Sequence, residues 1–257
     1  LIYRQIARLR PGKSWNMFLD VGCGEGWVLE RMNQAQVKVK GFDFSSFGLK
    51  KFHPHLKSSF VQGNVFDLLK KEKKSGNRYD IIALANVIEH VVNPEALIDL
   101  LKSILARHGL LIVVAPNDFS VLHENLLRKK HISKKFWLAY PDHVSYFNKE
   151  SMEKFLDSKG LRVEAVVADN PIDLNLMNAN TNYINNSRKG KEAHYFRVRT
   201  DNLLAGISVD KLLDLYTVLG SMGVGRDLNY YCFLKKSRFV FFPISMAISP
   251  HSRRHTL

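Results

Sequence analysis

The amino-acid sequence predicts an α/β fold: a seven-stranded, mostly parallel sheet with helices on both faces and an insertion before the last strand. Three observations predict it. Short, continuous apolar runs recur along the chain, as strands covered on both faces require. Stretches with apolar residues at helical spacing separate them, and strands alternating with helices build parallel sheets. The first run leads straight into a glycine-rich turn, FLDVGCGEGW at 18–27, the connection that joins strand to helix at the carboxyl edge of such a sheet.

Each element follows in order. MFLDVG at 17–22 reads as a buried strand, WVLERMNQA as a short helix, and the alternating VKVKGFD at 37–43 as a second strand. SSFVQG at 58–63 is a third strand and YDIIALAN at 79–86 a fourth. Asn93, Pro94 and Glu95 start a helix, because asparagine caps free amides, proline presets the first turn and the acid complements the dipole. Leu97, Ile98, Leu100, Leu101, Ile104 and Leu105 continue it at helical spacing up to Gly109, and LLIVVAP is the fifth strand. A helix over 149–159, ended by Gly160, precedes the sixth strand, LRVEAVVA. After Pro171 the alternation breaks: seven asparagines between 170 and 186 and then SRKGK read as a polar loop. A helical stretch near 209–221 and a last strand, LNYYCFLKK, close the domain. The expected organisation is one domain over 1–238, with 171–223 inserted as a substrate lid, and a tail over 239–257 that has no physical account.

Composition narrows the class. The 257 residues are 46% hydrophobic and 24% charged, sufficient for one sizeable core and inconsistent with a long disordered tract. Cys23 and Cys232 lie far apart in no metal or redox spacing, which points to a reducing compartment and a cytoplasmic location. IIALANVI and FVFFPISMAI fall short of the roughly 20 residues that span a bilayer, so no membrane span is expected. The chain opens on Leu1 and not on methionine, which leaves room for an upstream segment, a targeting signal included. Thirty-eight Lys and Arg against 24 Asp and Glu leave a net charge of +14, favouring an anionic partner. Much of that charge sits in KKEKK at 70–74 and RKKHISKK at 128–135, which lack the interleaved aromatics of a base-stacking platform; a solvated face is the competing reading.

The spacing of the turn selects its ligand. Dinucleotide folds use G-x-G-x-x-G, whereas the glycines here are Gly22, Gly24 and Gly26, and no Lys-Ser or Lys-Thr follows to make a phosphate-binding loop. Asp20, just before them, would repel phosphate but suits an ammonium group. Asp43, at the end of the second strand about 20 residues on, stands where an acid takes both ribose hydroxyls. Phe44 offers an apolar face for a purine, Asn64 can pair with an exocyclic amine, and Asn86 ends the fourth strand. The competing readings are a ligand-free turn, a Cys23 that merely packs and a Phe44 that belongs to the core. The implied ligand has adenine, ribose and an amino acid but no phosphate, which describes S-adenosyl-L-methionine.

Through LDVGCGEG, GFDFS, GNVFD, YDIIALANVIEHVVNPEALI and GLLIVVAPN, in that order, the chain resembles the class I S-adenosylmethionine-dependent methyltransferases, a Rossmann-like fold, over roughly residues 14–170. NVIEHV and PDHVSYFNKESMEKFLDSKGL resemble the branch of ubiquinone-pathway O-methyltransferases and of bacterial polysaccharide-cluster methyltransferases, and GVGRDLNYYCFLKK is similar to the closing strand of glycan-associated members. The resemblance implies that Gly22, Cys23 and Gly24 contact the methionine portion, Asp43 the ribose, and Asn64 with Val65 the adenine. Many relatives have Asp where this chain has Asn64, whose amide oxygen can still meet the adenine amine.

Glu89 and His90 follow the fourth strand, and His143 lies in a loop that can return to the same edge. Three roles compete for them. An imidazole there can remove a proton from an acceptor hydroxyl at neutral pH. Some relatives bind a divalent metal through a Glu-x-x-Glu-His turn plus a later His, but Asn86 replaces the first Glu, and no residue is assigned to a metal. His90 can also simply satisfy backbone groups. His194, Tyr195, Arg197 and Arg199 either line an acceptor pocket or form a plain surface strand, YFRVR. The expected activity is methylation of a small molecule: O-methylation of a sugar, nucleotide sugar or glycan precursor. RNA methylation is the alternative, argued from the charge and opposed by NVIEH, which lacks the Pro-Pro-Tyr element of amino-methylating nucleic-acid enzymes.

Overall fold

The apolar runs become strands of one sheet because each can bury successive side chains on opposite faces. The computed structural model describes residues 1–11 and 15–235. Its strands are β1 (Met17–Val21), β2 (Lys38–Asp43), β3 (Phe60–Gln62), β4 (Tyr79–Ala85), β5 (Leu105–Pro116), β6 (Leu161–Ala168) and β7 (Asp227–Leu234). Eight α-helices accompany them among the described residues: α1 (Ile2–Leu9), α2 (Trp27–Gln34), α3 (Phe47–Phe52), α4 (Val65–Lys74), α5 (Pro94–Ile104), α6 (Val121–Arg128), α7 (Lys149–Ser158) and α8 (Gly190–Ser221). The sheet order is β3-β2-β1-β4-β5-β7-β6. All pairings are parallel except those of β7, which runs antiparallel to both β5 and β6. The strand order therefore reverses direction between β1 and β4, and a crevice opens there at the carboxyl ends.

The two faces show the strand period. Leu19, Val21, Ile82, Leu84, Leu111 and Val113 pack with α4, α5 and α7 on one side. Their neighbours Phe18, Ile81, Ala83, Leu110, Ile112 and Val114 pack with α1, α2 and α8 on the other. The expected cap at Asn93 is present, its Oδ1 accepting from the Ala96 amide at 2.9 Å, and Asn148 adds a reciprocal capping box with Ser151.

Several boundaries differ from expectation. The helix begun at Pro94 ends at Ile104, not near Gly109, because Leu105 already pairs with Tyr79. The register then jumps to Ile81 opposite Leu110, so Ala106–Gly109 form a bulge. The third strand keeps only three residues, since Pro54 starts a 3₁₀ turn that runs to Ser59.

The asparagine-rich segment is ordered and not simply polar. It contains a 3₁₀ turn at Ile172–Met177, and Leu176, Tyr183 and Ile184 join Leu126, Ile132 and Trp137 in a separate small core. Asn182 is buried at its centre: its amide donates to the carbonyls of His131 and Leu176, and its oxygen accepts from the Ile184 and Asn185 amides. His194 to Arg199 belong to α8, so the reading of YFRVR as a strand is corrected; the helix extends from Gly190, with one non-helical residue, Ser208. Its second half covers the sheet through Leu212, Leu213 and Tyr216. No helix among the described residues is long and apolar enough to cross a membrane. The tail over 239–257 lies outside the described residues.

Candidate active site

The turn after β1 is shaped by three glycines in the left-handed region, with φ of 77°, 51° and 84° at Gly22, Gly24 and Gly26. The amides of Gly22 and Cys23 both donate to the Phe42 carbonyl, at 2.8 and 3.0 Å, which clamps the turn against β2. A Cβ added at Gly22 would overlap Val87, and one at Gly26 would press on Leu49, whereas at Gly24 it would meet nothing within 4 Å. Gly24 thus borders open space. Its amide donates to Asp43 Oδ2 at 2.9 Å, and Asp43 Oδ1 accepts from the Ser45 amide at 2.8 Å.

The other residues assigned to the cofactor lie around this turn. Asp20 is only 3% exposed; burial, helped by the charge of Asp43, pushes its carboxyl up to about 7. Burial likewise pushes the Cys23 thiol far up, so it is no nucleophile at neutral pH. Phe44 is 80% exposed, which overturns the packed alternative for that ring. The Gly63 amide donates to the Asp43 carbonyl and brings the β3 end beside β2. Asn64 caps α4: its Oδ1 accepts from the amides of Phe66 and Asp67, at 2.9 and 3.4 Å. That oxygen, which the sequence reading offered to an adenine amine, thus serves the start of α4. Val65, half-buried, opens the same helix. Asn86 stands at the end of β4 with φ 52°, its amide on the Val114 carbonyl at 3.0 Å.

Glu89 and His90 meet His143, distant in sequence, one step further along this edge. The rings of His90 and His143 lie edge to face, 4.8 Å apart. His90 Nδ1 donates to the Asp142 carbonyl at 2.7 Å, which leaves Nε2 facing Glu89 Oε1 at 3.7 Å. The amides of Val144 and Ser145 both donate to the Glu89 carbonyl, so the His143 loop is tied to the turn after β4. His143 Nδ1 and Glu89 Oε2 are buried without partners. Burial, and then the neighbouring His90, hold the His143 imidazole below its ordinary value, while burial raises Glu89. One donor atom from each of these three residues lies within 4.8 Å of the others, a grouping that a divalent cation could use even without a carboxylate at Asn86.

Sequence reading missed the acids that the tertiary structure adds beside this trio: Asp118 after β5, Asp169 after β6 and Asp227 at the start of β7, with Arg226 between them. The signal was an acid just past a strand end, the same signal that singled out Asp43. His194, Tyr195 and Arg199 are exposed on α8, and Arg197, half-buried, comes within 4.0 Å of Asp169.

A family model described as a methyltransferase domain matches residues 1–166. The chain belongs to that methyltransferase family. Its fold and family together are those of the class I S-adenosylmethionine-dependent methyltransferases. The ubiquinone biosynthesis O-methyltransferase of Glaesserella parasuis serovar 5 (strain SH0165) is 33% identical over 105 residues, 38% of this chain and 44% of that protein. The mitochondrial ubiquinone biosynthesis O-methyltransferase of Bos taurus is 25% identical over 176 residues, 65% of this chain and 47% of that protein. The methyltransferase thus spans about half the length of the curated relatives it matches. Among solved structures, a SAM-dependent methyltransferase from Archaeoglobus fulgidus superposes with a TM-score of 0.53 at 16% identity, over 90% of this chain and 92% of that one. The plantazolicin methyltransferase BamL, solved with SAH, gives 0.52 at 15% identity, over 88% and 79%. These two likenesses are likenesses of fold.

Proposed function

We propose that this methyltransferase transfers the methyl group of S-adenosylmethionine to a hydroxyl of a small molecule, a sugar, nucleotide sugar or glycan precursor. The observation that carries the reading is the partnerless, half-buried His143 imidazole set against His90 and Glu89 at the edge of the glycine turn. The cofactor's chemistry, when it is bound, is an electrophilic sulfonium methyl. The chain's own residues do the rest. Gly24 leaves room for the cofactor beside the turn, Asp20 faces its ammonium, Asp43 turns from the Gly24 amide to the ribose hydroxyls, and the exposed Phe44 ring covers the purine. Gly22, Cys23 and Gly26 shape that cradle, while Asn64 and Val65 border the base and Asn86 the methionine end. His143 takes the hydroxyl proton as the acceptor oxygen displaces the sulfur, and its lowered pKa keeps it neutral and competent at pH 7. His90 and Glu89 position that ring. Segment 171–189, with its own small core, serves as the lid; the helical remainder up to 223 anchors it to the sheet. The ubiquinone-pathway relatives, named as O-methyltransferases, support oxygen as the atom methylated.

Calorimetry with S-adenosylhomocysteine, followed by a methyl-transfer screen over sugars, nucleotide sugars and RNA, tests the reading. His143→Ala is expected to slow turnover by about 10²-fold or more with unchanged cofactor affinity. A fully active variant would remove His143 from the mechanism, and turnover lost on treatment with EDTA would assign the trio to a metal instead. The +14 charge supports RNA as a second acceptor class; turnover of RNA with steep salt dependence would favour it over the small molecule.

A further inference from the structure

The acceptor side of the crevice carries the opposite charge to the chain as a whole. Glu89 after β4, Asp118 after β5, Asp169 after β6 and Asp227 at the start of β7 gather at one edge of the sheet, joined by Asp173 from the segment that follows β6. Most of these acids are answered. Asp173 accepts from His123, Tyr183 and Arg226, Asp169 accepts from the amides of Arg226 and Asp227, and Asn86 hydrogen-bonds Asp227. Two are not. Glu89 Oε2 and Asp118 Oδ2 are the buried carboxylate oxygens without a partner among the described residues, on side chains belonging to residues 2% and 4% exposed. The segment carrying His143 ties the two together, because Val144 and Ser145 donate to the Glu89 carbonyl while the Asp118 amide donates to the Phe147 carbonyl.

A buried acceptor oxygen left without a donor is costly, and native structures rarely keep one unless a ligand or water supplies the bond. These two oxygens can only accept, or share a proton, so the missing group is a donor. An anion would meet Glu89, Asp118 and Asp227 together, and the two guanidiniums nearby are already engaged: Arg226 by Asp173, lying over the Phe136 ring at 4.9 Å, and Arg197 by Asp169 at 4.0 Å. An ammonium offers three donors and a charge of the right sign.

We propose that Asp118, with Glu89 tied to the same loop, is the acceptor-recognition subsite of this enzyme and that it takes a primary ammonium borne by the acceptor close to the hydroxyl that is methylated, as in an amino sugar. The proposal rests on the methyltransferase reading above and narrows its acceptor. Burial holds the Asp118 carboxyl up at about 7, against the pull of Arg226, and an arriving cation restores the carboxylate. An N-acylated amine, neutral and bulkier, is excluded, and any phosphate of the acceptor stays outside this subsite.

The test uses the whole chain, dialysed against EDTA and saturated with S-adenosylhomocysteine, titrated with glucosamine, N-acetylglucosamine and glucose at pH 7 and followed by ligand-observed NMR. Glucosamine is expected to bind at least tenfold more tightly than the other two. Asp118→Asn, nearly isosteric, should erase that preference and leave the affinity for S-adenosylhomocysteine as it was. Equal binding of the three sugars, binding of none, or a preference that survives Asp118→Asn overturns the proposal. Failure to bind S-adenosylhomocysteine at the outset is a separate result, which strikes the methyltransferase reading and needs no sugar to be seen.

Discussion

At the scale of single residues, the glycine turn separates two demands that sequence alone merges. Gly22 and Gly24 both adopt positive φ, yet only Gly22 is hemmed in, by Val87. Gly22→Ala therefore combines left-handed strain with overpacking and should cost about 2–4 kcal/mol of stability by denaturant titration. Gly24→Ala carries only the strain, roughly 1–2 kcal/mol, but places a methyl group in the open space proposed for the cofactor. Its expected signature is a modest loss of stability with a tenfold or greater loss of S-adenosylhomocysteine affinity. The opposite ordering, with cofactor binding intact in Gly24→Ala, would move the ligand away from this turn.

At the scale of elements, α8 was only half legible. Its second part announces itself through Leu212, Leu213 and Tyr216, which face the sheet; the first part, with polar and exposed apolar residues mixed around the helix, has no stripe to read. Close packing holds the helix in place. A Cβ at Gly220 would strike the Val166 carbonyl and come within 2.9 Å of the Ala168 amide nitrogen, so helix and β6 touch backbone to backbone. Gly220→Ala improves helix propensity and would stabilise an isolated helix. In the folded protein it should instead destabilise by about 1–3 kcal/mol, read as a lower urea midpoint with far-ultraviolet dichroism preserved. A midpoint that rises would mean that helix and strand are not in contact there.

At the scale of the whole molecule, charge is distributed so that its sum misleads. The chain is strongly basic, but its carboxyl edge buries acids: Asp20, Asp118 and Asp169 are each raised to about 7. A carboxyl whose folded pKa lies above its unfolded value binds more protons when folded, so its contribution to stability is complete below the unfolded value near 4 and is lost as pH rises toward 7. His143, lowered in the fold, acts in the opposite sense below its unfolded value, and global repulsion among the basic groups grows on acidification. Comparison with an isosteric variant isolates one group. Without cofactor, the stability of Asp20→Asn relative to the parent should rise from pH 4.5 to pH 7.5, measured by urea titration at both values. A difference that stays constant with pH would show that Asp20 is not held protonated by burial.

The sequence by itself determined the order of the strands, the helix cap at Asn93, the crevice at the first glycine turn and the family, because periodicity, capping and turn chemistry act over a few neighbouring residues. Only the tertiary structure decided the rest. It brought Glu89, His90 and His143 together, turned the asparagine-rich stretch into a small packed core, and tied Asp118 and Glu89, from different strand ends, to the one segment that carries His143. Those outcomes depend on which strand ends become neighbours once β7 inserts between β5 and β6, and on where buried polar atoms find partners. No window of local sequence contains that information.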